Sequence, residues 1–297
     1  MKVSLKYFYI GSETLQRFHN LPDPYYACPI CLRMFGLTDV RQLTKEHVPQ
    51  KSLGGLKICL TCFDCNSNAG HRIDAHVIRR EKGLAFFKAI LVGGTYEGRA
   101  QIRAGGESVT NANVTARDNF VEITPGMEIS NPIENVRLQQ ALAGFKENGN
   151  WESQKIDFKL VGETFNLHKA MVADLKSAYL ACFAKLGYQY ILRPQLDIVR
   201  NQIIQPELKL IEGFAYRINP GQLPSRRVLI FTETPFQSVA VQIDDRFIFL
   251  PPIDDSEEFY AILKQHLSPD LQLSGLEDDF PMTMEMELDR IEMKNLI

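Results

Sequence analysis

Nowhere in its 297 residues does the chain hold the run of roughly 18 apolar residues that a membrane-spanning helix requires. Its first residues, Met1-Lys2-Val3-Ser4-Leu5-Lys6-Tyr7, lack both a long apolar stretch and a small-residue cleavage site. No secretory signal is therefore expected, and an intracellular, cytoplasmic location follows. Internal repeats are absent. A strong charge of either sign is missing too: the formal net charge is -3, poor evidence for a chain that binds polyanions along its whole length. Cysteine is scarce, with six in all, and five of them fall between Cys28 and Cys65. In a reducing compartment such bunching points to metal ligation before disulfides.

Hydrophobic residues at 45% and charged residues at 23% describe an ordinary globular protein, long enough for about two domains. Charge is unevenly spread. Residues 1–90 carry 13 Lys/Arg against 7 Asp/Glu, and residues 91–297 carry 20 against 29. The basic first third is compatible with a nucleic-acid partner. Residues 1–27 mix aromatic and polar side chains and end in the turn-like Leu21-Pro22-Asp23-Pro24. A helical extension runs to about Leu91, where Gly93-Gly94 breaks it.

Alternation from Arg99 to Ile129 predicts strands and turns, residues 133–146 a helix, and Ile156–Val161 a strand. Leu167 to Leu186 gives the longest helical signal, closed by Gly187, and its apolar stripe reads as core without chemistry, Cys182 included. A helix over 194–204, strands at 211–217, 227–232, 236–242 and 246–250, and a helix near Glu257–His266 come next. The end, Glu277 to Glu292, holds seven acidic residues against one Arg and reads as a mobile tail or a loosely docked helix.

Cys28-Pro29-Ile30-Cys31 and Cys62-Phe63-Asp64-Cys65 are two C-x-x-C knuckles separated by 30 residues. Two-residue spacing lets both thiolates of a knuckle reach one tetrahedral ion at about 2.3 Å, so Cys28, Cys31, Cys62 and Cys65 are the expected ligands of a structural Zn²⁺. Cys59 offers a competing register through Cys59-Leu60-Thr61-Cys62; it is assigned to a strand because Asn66 comes directly after Cys65. Between the knuckles lies Glu46-His47-Val48-Pro49 and then Gly54-Gly55, and the second knuckle continues into Asn66. An imidazole titrates near neutrality and can take a proton from water, which makes His47 a candidate general base on chemistry alone.

Over residues 28–80 these elements, in this order, resemble the HNH endonuclease family in its two-zinc-knuckle form. The resemblance implies an α+β fold: an N-terminal zinc-stapled ββα-metal, treble-clef-like nuclease module followed by a separate α+β domain. The expected boundaries are 1–95 for the module with its N-terminal extension, 99–276 for an α+β domain of unassigned role, and 277–297 for an acidic tail. It also implies His47 as general base, with Glu46 and Asn66 as ligands of a catalytic Mg²⁺ or Mn²⁺ and His71 as a further candidate ligand. Bottom-up, Asn66 can instead be a helix N-cap, and His71 and Asp74, three apart, a mutually satisfied pair. Arg72, Arg79 and Arg80 are candidate contacts to a nucleic-acid backbone.

The family's bracing Asn on the second strand is missing here, where Leu56-Lys57-Ile58-Cys59-Leu60 stands. The implied activity is metal-dependent hydrolysis of phosphodiester bonds in nucleic acid, DNA before RNA. The alternative is a zinc-stapled binding module for nucleic acid or protein, without catalysis, of the kind that could serve a defence or mobile-element assembly.

Overall fold

The 15-residue helix α1, Lys2–Gln16, packs through Tyr7, Phe8, Gly11, Ser12 and Leu15, a stripe at three- and four-residue spacing. One of its members is small for a reason. A Cβ on Gly11 would meet the Tyr26 ring at 2.5 Å. The structure is a computed structural model. It describes residues 2–17, 19–104, 108–117, 120–125, 156–161, 164–217, 226–231, 238–251, 259–266, 275–284 and 286, with isolated helical positions between 132 and 143.

The architecture is mixed α+β, as expected. Strands β1 (Tyr25–Ala27) and β2 (Met34–Gly36) form one antiparallel ribbon, and β3 (Leu43–Val48) and β4 (Leu56–Cys62) a second. Helix α2 (Phe63–Ala69), a π-helical turn (Gly70–Asp74) and α3 (Ala75–Leu91) come next. Strands β5 (Thr95–Ala104), β6 (Ser108–Arg117), β7 (Phe120–Pro125) and β8 (Ile156–Leu160) build a four-stranded antiparallel sheet in the order β7-β6-β5-β8. Then come α4 (Leu167–Leu186) and α5 (Asp197–Ile204). Strands β9 (Ala215–Arg217), β10 (Arg226–Phe231), β11 (Ser238–Ile243) and β12 (Arg246–Leu250), helix α6 (Phe259–His266) and β13 (Gly275–Asp279) complete the chain. The second sheet is five-stranded and antiparallel, in the order β13-β10-β11-β12-β9.

Residues 1–77 and 167–297 make one compact unit, and residues 78–166 the other. This differs from the expected division at 1–95, 99–276 and 277–297. The reason is α4. A helix apolar all round has to be covered all round. Fifteen of its 20 residues are buried, and it packs against β3, β4, the π-turn, β11 and β12 alike. Buried tyrosines bind the halves of this unit further. The hydroxyl of Tyr179 donates to the Pro29 carbonyl at 2.7 Å and that of Tyr188 to Ala27, while Tyr26 donates to the Leu60 carbonyl at 2.7 Å within the first half. Helix α6 covers the five-stranded sheet through Phe259 and Leu263 against Phe231, Ala240 and Phe249.

In the smaller unit, Phe86 and Ala89 of α3 pack on Tyr96, Ala100, Ile102, Ala112, Val114 and Ala116, the alternate residues on one face of β5 and β6.

The expected acidic tail is corrected at its start. Residues 275–279 pair with β10 as β13, and Phe280, Met284 and Met286 are buried. Tyr7 shares a 3.0 Å hydrogen bond with Thr283, and the Met286 amide donates to the Ala184 carbonyl. Burial of these side chains makes the segment part of the core; residues 287–297 lie outside the described residues. Most of the 133–146 helix and residues 126–130 also lie outside them. Among the described residues no helix is long and apolar enough to cross a membrane.

Candidate metal centre and the hairpin beside it

The β1–β2 ribbon ends in a knuckle. The Cys28 amide donates to the Arg33 carbonyl at 3.0 Å and the Leu32 amide to the Cys28 carbonyl at 2.8 Å, with Leu32 in the left-handed region at φ 57°. The tight turn lifts Cys28 and Cys31 toward the start of α2. There Cys62 is the N-cap, its sulfur accepting the Cys65 amide at 3.5 Å, and the Cys62 amide donates to the Cys28 sulfur at 3.4 Å.

All four sulfurs lie within 4.8 Å of one another. Cys31 and Cys62 stand 3.8 Å apart. A tetrahedron with Zn–S bonds of about 2.3 Å has edges of about 3.8 Å. The donor set fits zinc in number, softness and spacing, and the amide-to-sulfur bonds are the outer support that thiolate ligands take. Cys62 is pushed down to about 6, chiefly by its hydrogen bond with Cys28. Cys59 is a fully buried strand residue of β4, and Cys182 is buried on α4.

His47 lies near the end of β3. The β3–β4 register pairs Glu46 with Cys59 but His47 with Lys57, so Ile58 is an extra residue and the ladder is bulged at that point. A strand sends neighbouring residues to opposite faces, and because the extra residue lies on β4 that alternation persists in β3, with Glu46 and Val48 buried and His47 between them half-buried. His47 is half-buried, and its pKa is lowered, first by desolvation and then by Lys57 and Lys51, against an upward pull from Glu46. The imidazole is thereby biased toward the neutral form, the form that accepts a proton. Lys51 and Lys57 are exposed.

Glu46 has a different environment. It is 4% exposed. Its Oε1 accepts from Lys176 Nζ at 3.0 Å and its Oε2 from the Thr61 hydroxyl at 3.2 Å. The same ammonium donates to Asp74 Oδ2 at 2.7 Å, and Gln50 Nε2 donates to Asp74 Oδ1 at 2.7 Å. Burial works against a charged Lys176, but the two carboxylates outweigh it and hold the ammonium above its ordinary range. The carboxylate expected to ligate a catalytic ion together with Asn66 thus has both oxygens hydrogen-bonded within the fold and a buried ammonium as its counter-charge.

Asn66 is the fourth residue of α2 and not its cap, since Cys62 holds that place. Its Nδ2 donates to the Thr44 hydroxyl at 2.9 Å, tying α2 to β3 and leaving the carbonyl oxygen outside that bond. His71 is exposed on the π-turn, and Asp74 pairs with Lys176 and Gln50 in place of the expected His71 partner. Arg72 is committed to Glu207 and the Ile204 carbonyl. Glu207 is lowered to about 2, mainly by that bond to Arg72. Arg79 is exposed in the smaller unit, where it donates to the Thr164 carbonyl at 3.4 Å. Arg80 is 5% exposed beside Glu81, which corrects its expected role, because a buried guanidinium has no access to a backbone phosphate.

Two features fix the turn after β3. Gly54 adopts φ 75°, and a Cβ on Gly55 would fall 1.5 Å from the Pro49 carbonyl oxygen, so each glycine of the pair is needed for its own reason. Arg226 of β10 then donates to the Gly54 carbonyl at 2.8 Å and the Leu53 carbonyl at 2.6 Å. Sequence reasoning missed Arg226, for which no local signal exists. It also missed Lys176, for which one does: Val172, Ala173, Tyr179 and Leu180 flank it at helical spacing, so a lysine stands on an apolar face.

No family model, curated protein or solved structure matches the chain.

Proposed function

We propose that the chain is an HNH-type phosphodiester hydrolase acting on nucleic acid, built on a treble-clef-like module whose structural zinc is held by Cys28, Cys31, Cys62 and Cys65. The observation that carries the reading is the arrangement of the hairpin. The four cysteines tie the first knuckle to the start of α2, and the β3–β4 ribbon between them bears His47 at its bulge. Bound there, zinc supplies a tether and no chemistry, because four thiolates close its coordination shell.

The chemistry falls to the hairpin. A neutral His47 accepts a proton from water, the water oxygen forms a bond to phosphorus, and the phosphorus–oxygen bond to the departing strand end breaks, the leaving oxygen taking a proton from solvent. Burial first, and then Lys57 and Lys51, favour the neutral imidazole and support that role, and the same two exposed ammonium groups are suited to draw a phosphate toward it. No step is assigned to a divalent ion at Glu46, whose carboxylate is already neutralised.

The test is cleavage of plasmid, linear duplex, single-stranded DNA and RNA by zinc-loaded protein with Mg²⁺, with Mn²⁺ and with a chelator that spares zinc. His47→Ala is expected to lower the rate on the order of 10²- to 10⁴-fold with zinc content unchanged. Cleavage by His47→Ala at the parental rate would remove the base from the mechanism. A second reading, a zinc-stapled binding module without catalysis, is favoured by the buried Glu46–Lys176 pair. Tight binding of these nucleic acids with no cleavage under any of the metal conditions would select it.

A further inference from the structure

We infer that Lys176 is the resident counter-ion of Glu46 and Asp74, and that Glu46 for this reason holds no divalent ion for the proposed nuclease. The inference rests on the nuclease reading for its meaning, since that reading is what makes the counter-charge of Glu46, the neighbour of His47 on β3, matter. Its evidence is independent geometry. Three distant segments meet at one nitrogen: β3 brings Glu46, the π-helical turn ahead of α3 brings Asp74, and α4 brings Lys176 from 130 and 102 positions away respectively. The π-turn matters here, because one extra residue per turn rotates the helix after it and sends Ile73 and Asp74 inward.

The cluster is closed. All four carboxylate oxygens have partners, two from the ammonium, one from Thr61 and one from Gln50. Lys176 is 1% exposed, so the ammonium is held inside the fold and is not a surface group that drifts in and out. Spacing also favours ammonium over a small divalent ion. The oxygens stand 3.0 and 2.7 Å from Nζ, whereas Mg²⁺ demands about 2.1 Å and near-octahedral oxygen ligation. Each carboxylate would have to close in by more than half an ångström, and the lysine chain would have to leave a core packed around it. An ammonium fixed by covalent attachment to α4 needs no free ion and no chelation equilibrium. In this chain the counter-charge of Glu46 is encoded in the sequence, and Lys176 acts as a positioning residue that fixes Glu46 and, through β3, the strand that carries His47.

The experiment reads Mn²⁺ binding by electron paramagnetic resonance on zinc-loaded full-length protein, comparing the parent, Glu46→Gln, Lys176→Met and the Glu46→Gln/Lys176→Met pair. The parent and Glu46→Gln are expected to bind Mn²⁺ alike, because Glu46 is not a ligand while Lys176 is in place. Lys176→Met, with its two carboxylates left facing each other, is expected to gain a site at least about 10-fold tighter, lost again in the double variant. Saturating Mn²⁺ should raise the melting midpoint of Lys176→Met by about 5 °C and leave that of the parent unmoved. Weaker Mn²⁺ binding in Glu46→Gln than in the parent overturns the inference, as does a folded Lys176→Met that gains no site. If Lys176→Met does not fold, the comparison of the parent with Glu46→Gln decides alone. None of these readouts involves cleavage, so an inactive protein would overturn the proposed function and leave this assignment standing.

Discussion

Lys176→Met is expected to be among the most damaging single substitutions in the chain, although the position lies in the middle of a helix and methionine suits helices. The perturbation removes one charge and keeps most of the volume. It leaves behind two carboxylates with side chains only 5% and 11% exposed, retaining one hydroxyl and one amide donor between them. Breaking a buried ion pair by deleting one partner costs about 3–5 kcal/mol, because the surviving charge has lost both water and counter-charge. For a chain of this size that corresponds to a fall of roughly 6–20 °C in melting midpoint.

Two controls make the result interpretable. Lys169→Met removes a lysine that pairs with Glu207 across a solvent-accessible gap, and should cost no more than about 1 kcal/mol. The triple variant Glu46→Gln/Asp74→Asn/Lys176→Met keeps the acceptors for Thr61 and Gln50 but carries no charge, and should recover most of the loss. Circular dichroism melts and urea titrations of the four proteins, all zinc-loaded, measure this. A Lys176→Met as stable as Lys169→Met, or a triple variant no better than the single one, would refute the reasoning.

The zinc reading predicts close to one zinc per chain by elemental analysis, and Cys28→Ser should lose both the metal and the folded knuckle, since structural zinc in small modules contributes on the order of 10 kcal/mol. Arg226→Ala should loosen the Gly54-Gly55 turn by removing two hydrogen bonds from β10, lowering stability by about 1–3 kcal/mol and raising amide exchange at residues 53–55. Slow exchange there in the variant would mean that the glycines alone fix the turn. Truncation before Glu277 takes most of β13 with Phe280, Met284 and Met286, and at about 1.5–3 kcal/mol per buried side chain it should cost more than about 4 kcal/mol. A truncated protein that melts with the parent would restore the segment to the role of a tail.

How much of this was legible in the sequence depends on how far each feature reaches along the chain. The helix at Leu167–Leu186 and the stop at Gly187, most strands of both sheets, and the four clustered cysteines announce themselves within a few residues, through period, turn chemistry or C-x-x-C spacing, whereas β13 is masked by its acidic residues. Helix α1 was hidden because Gly11 and Ser12 interrupt its apolar stripe, and only the Tyr26 ring pressed against Gly11 explains why a small residue belongs there.

The site divides along the same line. Glu46 and His47 could be picked out from their neighbours, but the buried partner of Glu46 comes 130 positions later at Lys176, and the brace of the Gly54-Gly55 turn comes 172 positions later from Arg226. Both partners lie beyond residue 166, in the part of the chain expected to form a domain of its own. A carboxylate beside a histidine therefore reads as a metal ligand until its counter-charge is found. In this chain that counter-charge is a lysine on an apolar helix face, where core packing alone has no use for an ammonium.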